Sequence, residues 1–193
     1  VKNYYTTHES RIWLRKNKPM TVLPKDVPVP DYFPDLPEVR QGIARKYSNI
    51  EALDKEVGVL LNELDKDGVL ENSIIFFWSD HGGNLLRQKR AVGNSGLNVP
   101  LIIRYPDGFR AGQTDDRMVS LMDLGPTVMS LLGIQPPKYM DGKSFAGKFE
   151  KPPRQYIFGS ADRFDESTDM QRSVLDGRYV YIRNFMPELP LIY

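Results

Sequence analysis

Apolar and aromatic residues recur every three or four positions between residues 37 and 66, the spacing that places side chains on one face of a helix. They are Val39, Ile43, Tyr47, Ile50, Val57, Leu60, Leu61 and Leu64. Asp35 with Glu38 three residues later forms a capping-box pattern, and Pro37 suits a first helical turn. Since Asp67-Gly68 is a typical stop signal, the pattern predicts one long helix that ends near Lys66.

Two short, continuous apolar runs follow the helix, at Ser73–Trp78 and Val99–Arg104. Runs of this length without polar alternation are typical of strands buried on both faces of a parallel sheet. A helix that leads into such a strand is half of a β-α-β unit. A shorter helix is predicted over Met122–Leu132, where Gly133 ends it. Residues 1–145 are therefore predicted to belong to an α/β domain with a mostly parallel sheet.

The character of the chain changes after about Gly142. Tyr156–Gly159 is predicted as a short strand, and Asp176-Gly177 lies between two β-rich arms, which is a strong hairpin signal. Residues 146–193 are therefore predicted to begin a small antiparallel unit. Six prolines between residues 19 and 37 exclude regular helix or central strand there and predict an extended loop.

The composition of the chain argues against several classes of function. The 193 residues have a net charge of +1, with acidic and basic residues scattered through the chain, which argues against a nucleic-acid surface or a polybasic membrane surface. No apolar run approaches the roughly 18 residues that span a bilayer. The absence of cysteine excludes disulfides, cysteine metal ligands and a cysteine nucleophile within this stretch.

The most specific chemical feature is residues 79–83, Ser-Asp-His-Gly-Gly, directly after the first predicted strand. Ligand sites of open α/β sheets form at the carboxyl ends of the strands. There, the carboxylate of Asp80 and the imidazole of His81 can coordinate one divalent cation, and the glycines allow a sharp turn. The competing interpretation is that Asp80 only caps a turn and His81 is a surface residue, because short motifs often match by chance.

Positive charge follows in the next loop, where Lys89 and Arg90 lie between the two predicted strands. Fixed cations at this edge would suit an anionic substrate such as a sulfate or phosphate ester. His8 also follows a strand-like segment, Val1–Thr7. Basic loop residues and single histidines are more often solvated or structural, so both interpretations stay open on these residues alone.

The order and spacing of these motifs resemble the sulfatase family of the alkaline phosphatase superfamily. The similar segments are residues 47–58 of the long helix, residues 79–106 with Lys89, residues 119–127, the Asp-Gly-Lys-Ser turn at 141–144 and the Thr-Thr-His-Glu-Ser stretch at 6–10. Residues 162–166 and 172–174 resemble the tail of bacterial sulfatases related to heparan N-sulfatases. The resemblance implies a partial α/β/α sandwich with a small C-terminal antiparallel sheet.

The resemblance also implies roles for individual residues. Asp80 and His81 would be ligands of the site's cation, which in sulfatases is calcium. Lys89 would bind the sulfate oxygens and stabilise charge in the transition state, with Arg90 beside it. His8 would lie close to the leaving-group oxygen, as a general acid or a sulfate contact. The implied reaction is hydrolysis of a sulfuric ester or sulfamate, and the implied substrate is a sulfated small molecule or glycan.

One part of the family pattern is missing from these residues. Sulfatases use a formylglycine made from Cys or Ser in a Cys/Ser-x-Pro-x-Arg motif, and neither that motif nor the Asp-Asp metal ligands that the family has near its N-terminus occur here. We therefore expect a C-terminal fragment that lacks the nucleophile segment. Such a fragment is expected to form an oligomer or to associate with the missing N-terminal part. The family resemblance implies a periplasmic or secreted protein. Two alternatives remain: a phosphate mono- or diester hydrolase of the same superfamily, and a non-catalytic, anion-binding remnant.

Overall fold

In a computed structural model of the chain, which describes residues 19–83 and 85–189, the longest element is helix α1, Pro37–Lys66. The long helix is therefore confirmed, and it ends as predicted. Asp67 is the C-cap, its N–H donates to the Glu63 carbonyl at 3.0 Å, and Gly68 takes the left-handed conformation with φ 69°. A glycine adopts that conformation without steric cost, which is why it suits this position.

The predicted N-cap of α1 is wrong by one residue. Leu36 is the N-cap, Pro37 begins the helix, and no side chain caps it. Asp35 lies outside the helix, where its carboxylate pairs with the Arg40 guanidinium (2.7 Å from Nη2 to Oδ2). The Arg40 hydrogen bond lowers the pKa of Asp35. Arg40 also donates to the Val27 carbonyl at 3.2 Å. Arg40 therefore links the helix to the proline-rich loop, and Asp35 holds the Arg40 guanidinium in place.

The described chain divides into two compact units, each considered by itself. The first unit contains the described residues up to Ile75 together with Arg104–Phe109. The second unit contains Phe76–Ile103 together with the described residues from Arg110 onwards. In the first unit, α1 buries Ile43 and Ala44, whereas Tyr47 of the predicted apolar stripe is exposed. The boundary between residues 145 and 146, inferred from the sequence, stays a prediction.

Strands β1 (Ile75–Trp78) and β2 (Leu101–Arg104) are hydrogen-bonded neighbours in a two-stranded sheet. Both were predicted, but the expectation that they are buried on both faces is wrong for the described residues. Trp78 and Ile102 are exposed, and the other side chains are half-buried. Within the part of the chain that the structure describes, this sheet has two strands, too few to enclose its own side chains.

Two short helices belong to the second unit: α2, Asn94–Leu97, and α3, Leu124–Leu131. A 3-10 turn over Leu121–Asp123 leads directly into α3, and Gly133 with φ 73° follows it, so the helix predicted near Met122–Leu132 is confirmed. Asp123 is the N3 residue of a capping box whose N-cap is Ser120. This turn contains the most completely buried carboxylate among the described residues, with 2% exposure.

The C-terminal sheet is antiparallel, as predicted, and has the order β3-β4-β5: Ile157–Phe164, Ser167–Leu175 and Val180–Asn184. The predicted Asp-Gly hairpin joins β4 to β5, with Leu175 opposite Val180. The Asp176 carboxylate accepts hydrogen bonds from the backbone of Arg178 and Tyr179. The longer β3 and its tight turn into β4 were not predicted. Together, helices, a short sheet and a separate antiparallel sheet confirm the mixed α/β class.

Candidate functional site

The candidate site is centred on the turn after β1, which is held against the segment that leads into β2. The Gly82 N–H donates to the Gly96 carbonyl at 2.9 Å. A Cβ atom on Gly82 would lie 2.0 Å from the Ser95 carbonyl oxygen, and one on Gly96 would lie 2.1 Å from that of Ala91. Both distances are below van der Waals contact, so this approach requires glycine on both sides.

Asp80 and His81 lie side by side in this turn. The Asp80 side chain is 82% exposed. Its Oδ1 accepts the His81 N–H at 3.0 Å, and its Oδ2 lies 3.7 Å from His81 Nε2. The structure therefore brings together the two residues predicted as metal ligands.

The position of His81 determines which ring nitrogen is available. Nδ1 lies 2.7 Å from the Gly82 carbonyl oxygen. A carbonyl only accepts hydrogen bonds, so a hydrogen bond here needs the proton on Nδ1. In the neutral imidazole, the lone pair is then on Nε2, the nitrogen beside Asp80. A metal-binding histidine commonly has its other nitrogen fixed by a carbonyl in this way.

As a cation site, the pair is incomplete by itself. Within residues 19–83 and 85–189 there is no cluster of three or more His, Cys, Asp or Glu side chains that could hold a metal ion. Calcium takes six to eight oxygen ligands. The donor set of Asp80 and His81 fits part of a divalent-cation shell, and any further ligands must come from beyond this pair.

Lys89 and Arg90 lie in the turn segment between the Asp80–His81 turn and α2. Lys89 is half-buried. Arg90 takes a left-handed conformation with φ 62°, and its Nη1 lies 2.7 Å from the Asp165 carboxylate. The Arg90 guanidinium also lies 4.5 Å from the centre of the Phe164 ring. Sequence patterns had pointed to Arg90 but not to these partners: Phe164 is the last residue of β3, and Asp165, 75 residues after Arg90, begins the turn into β4. His8, the fifth predicted site residue, lies outside the described residues.

A second acidic centre is built around Asp123, which was not predicted as special. Its oxygens accept hydrogen bonds from the backbone N–H groups of Ser120 (2.9 Å) and Lys143 (2.6 Å) and from Arg154 (2.8 Å from Nε). Burial alone would raise the pKa of Asp123, but the Arg154 hydrogen bond, the two backbone donors and the Arg154 charge outweigh it and lower that pKa. This carboxylate is saturated from within, so it stabilises the fold instead of offering a ligand site.

Known proteins resemble the chain across both its units. The sequence model of the Sulfatase family matches residues 5–134. An ulvan-active sulfatase from Formosa agariphila is 42% identical over 198 aligned positions, which cover 100% of this chain and 33% of that protein. Human N-sulphoglucosamine sulphohydrolase is 29% identical, over 89% of this chain and 37% of the human protein. The chain thus spans about a third of the length of these relatives.

The fold of the chain is also similar to that of a solved structure. A protein whose structure was solved in complex with its substrate, D-glucosamine-2-N,6-O-disulfate, superposes with a TM-score of 0.62 at 23% identity, covering 94% of this chain and 37% of that one. No described helix is both long and apolar enough to cross a membrane.

Proposed function

Because the chain belongs to the sulfatase family, we propose that the protein of which it forms part hydrolyses a sulfuric ester or sulfamate. The observation that carries this proposal is the Asp80–His81 turn, where an exposed carboxylate and the Nε2 of an imidazole lie side by side after the end of a strand. The position fits the general rule for ligand sites in α/β sheets. The choice of sulfate ester or sulfamate hydrolysis as the reaction rests on the similarity to named sulfatases.

The family depends on a divalent cation, and we propose that Asp80 and His81 hold it here. Calcium is the proposed ion, with the remaining ligands outside the pair. Imidazole also suits softer metals, so the choice of ion needs a direct measurement. When bound, such a cation would neutralise charge on the oxygens of the substrate anion.

Lys89 and His8 are proposed to act on the sulfate group itself. The Lys89 ammonium would bind sulfate oxygens and stabilise the negative charge that develops in the transition state. His8 would donate a proton to the leaving-group oxygen or contact the sulfate. Arg90 would add positive charge beside Lys89.

The nucleophile is proposed to be a formylglycine outside these 193 residues, since they contain neither cysteine nor a Ser-x-Pro-x-Arg sequence. As a hydrated aldehyde, this group would supply the hydroxyl that attacks sulfur. Residues 1–193 purified alone should therefore not hydrolyse an aryl sulfate.

The proposed substrate class is a sulfated glycan or sugar. The ulvan-active sulfatase and the N-sulphoglucosamine sulphohydrolase support this choice through their names, and the similar solved structure contains a disulfated glucosamine. A periplasmic or secreted location is proposed with it, on the basis of the resemblance to the sulfatase family.

The test is an assay of the full-length protein on three substrates: an aryl sulfate, N-sulfoglucosamine and an aryl phosphate, each with calcium and after chelation. We expect calcium-dependent release of sulfate. Faster turnover of the phosphate ester would favour the phosphoesterase alternative, against which the chain's two histidines count. No turnover of any of the three, with an intact Cys/Ser-x-Pro-x-Arg motif in the full-length protein, would contradict the proposal.

A further inference from the structure

We propose that the β3–β4 turn, through Asp165 and Phe164, anchors Arg90 and thereby positions Lys89 for the reaction. The turn is remote in sequence, and its residues are positioning residues, because their contact is to Arg90 and not to the reacting group. The inference rests on the proposed role of Lys89 and adds to it the element that sets the position of that lysine.

The contact holds the Arg90 guanidinium from two sides. Asp165 Oδ1 lies 2.7 Å from Nη1, the distance of a charge-assisted hydrogen bond. The Phe164 ring centre lies 4.5 Å from Arg90 Cζ, within the range of a cation–π interaction. A carboxylate and a ring together fix the head group more closely than either contact alone.

The backbone is sharply turned at both ends of this contact. Arg90 has φ 62° and Asp165 has φ 49°, and both are in the left-handed region that non-glycine residues seldom adopt. Such conformations persist where the surrounding contacts hold them. The ion pair and ring contact add to the restraint of the Lys89–Arg90 turn, which the hydrogen bond from the Ala91 N–H to the Gln88 carbonyl (3.3 Å) also closes.

The other end of the same loop is also fixed. After Arg90, the chain reaches Gly96, whose carbonyl accepts the Gly82 N–H next to the Asp80–His81 turn. Lys89 therefore directly precedes a segment held at two points, by Asp165 at Arg90 and by Gly82 at Gly96. Loss of the first point would loosen the turn that contains Lys89, although the hydrogen bond from the Ala91 N–H to the Gln88 carbonyl would remain.

The same geometry argues against a purely direct role for Arg90 on the substrate. The Asp165 carboxylate offsets much of the Arg90 charge, and an incoming sulfate would have to compete with it. If Arg90 acted only as a sulfate ligand, Asp165→Asn would release that charge and lower KM. If the pair positions Lys89, Asp165→Asn lowers kcat, because a lysine displaced by about 1 Å stabilises the transition state poorly.

The hairpin contains a matched control. Asp162 pairs with Arg172 at 2.7 Å, also between exposed side chains (61% and 43%, against 69% and 36% for Asp165 and Arg90). Exposed ion pairs of this kind contribute little to stability, so removal of either should leave the unfolding midpoint nearly unchanged. Only the Asp165 pair reaches the loop that contains Lys89.

The experiment compares Asp165→Asn, Asp165→Glu and Asp162→Asn in the full-length protein. For each variant, kcat and KM are measured on the sulfate ester that the wild type hydrolyses, together with amide hydrogen exchange of residues 85–91. We expect Asp165→Asn to lower kcat roughly ten- to a hundredfold with a smaller change in KM, and to speed exchange in that segment. Asp165→Glu should recover part of kcat, and Asp162→Asn should resemble wild type.

Equal effects of Asp165→Asn and Asp162→Asn on kcat and on exchange would overturn the inference, as would a lower KM with unchanged kcat. If the wild type hydrolyses no sulfate ester, the proposed function fails separately. Hydrogen exchange then decides alone: faster exchange at 85–91 in Asp165→Asn but not in Asp162→Asn supports the anchor, and equal exchange overturns it.

Discussion

Asp80 and Asp123, two aspartates of the second unit, have opposite surroundings. Asp123 is 2% exposed, and two backbone N–H groups and the Arg154 guanidinium donate to its oxygens. Asp80 is 82% exposed, and its Oδ1 accepts only the adjacent backbone N–H among the described contacts. A carboxylate whose oxygens are filled by internal donors cannot take a metal ion without unfolding its surroundings, whereas an exposed one can.

The comparison predicts separate consequences for stability and for chemistry. Changes at Asp123 should lower the free energy of unfolding, because Arg154 and two backbone donors would lose their acceptor inside the protein. Changes around Asp80 and Lys89 should leave unfolding nearly unaltered and reduce metal binding or turnover. Substitutions in the full-length protein can test whether effects on unfolding and effects on metal binding or turnover are separate.

The largest effect is expected for Asp123→Ala. Removal of one partner of a buried ion pair leaves the other charge uncompensated, which costs about 3–5 kcal/mol. Urea unfolding of the variant and of wild type measures the loss. The exposed Asp116→Ala is the control and should stay within about 0.5 kcal/mol of wild type. A loss below 1 kcal/mol for Asp123→Ala would contradict the view that this network stabilises the fold.

Lys89→Ala should reduce kcat by roughly 10²–10³-fold, the usual cost of losing one group that stabilises transition-state charge. The midpoint of thermal unfolding should change little. Steady-state kinetics on the preferred sulfate ester measure the effect, and the exposed Lys138→Ala provides a variant with the same loss of charge. Unchanged kinetics for Lys89→Ala would remove this residue from the proposed site.

Asp80→Asn should weaken calcium binding by roughly tenfold or more, since even supporting residues of metal sites carry effects of that size. Titration calorimetry with calcium measures the affinity, and unfolding in the absence of metal should match wild type. Asp116→Asn removes an exposed carboxylate elsewhere and should bind calcium as wild type does. Equal affinity in both variants would exclude Asp80 as a ligand.

The smallest effect concerns pH. The folded state lowers the pKa of Asp123, while the unfolded value is about 3.9. The ionised carboxylate therefore adds stability that is present above the unfolded pKa and is lost as the pH falls through the lower, folded pKa. The stability difference between wild type and Asp123→Asn should shrink on acidification from pH 6 to pH 2.5. A constant difference would show that Asp123 contributes through shape alone.

Local patterns in the sequence predicted much of the architecture. The long helix, both short strands, the helix after Asp123 and the Asp-Gly hairpin all depend on spacing and turn residues within a few positions of each other. The same holds for the Asp80–His81 turn, since a strand end followed by glycines is a local signal. The N-cap of α1 was misplaced because Asp35, although near the helix, pairs with Arg40 instead of the helix N-terminus.

By itself, then, the sequence determined most of the elements and the family, and it supplied the residues on which the proposed metal and anion site rests, because periodicity and motifs are properties of neighbouring positions. Only the tertiary structure decided which charged side chains have partners within the protein. Asp123 meets Arg154 across 31 positions and Arg90 meets Asp165 across 75. Contacts over such separations form where folding brings distant segments together, and burial then sets whether an aspartate stabilises the fold, anchors a loop or stays available to a ligand.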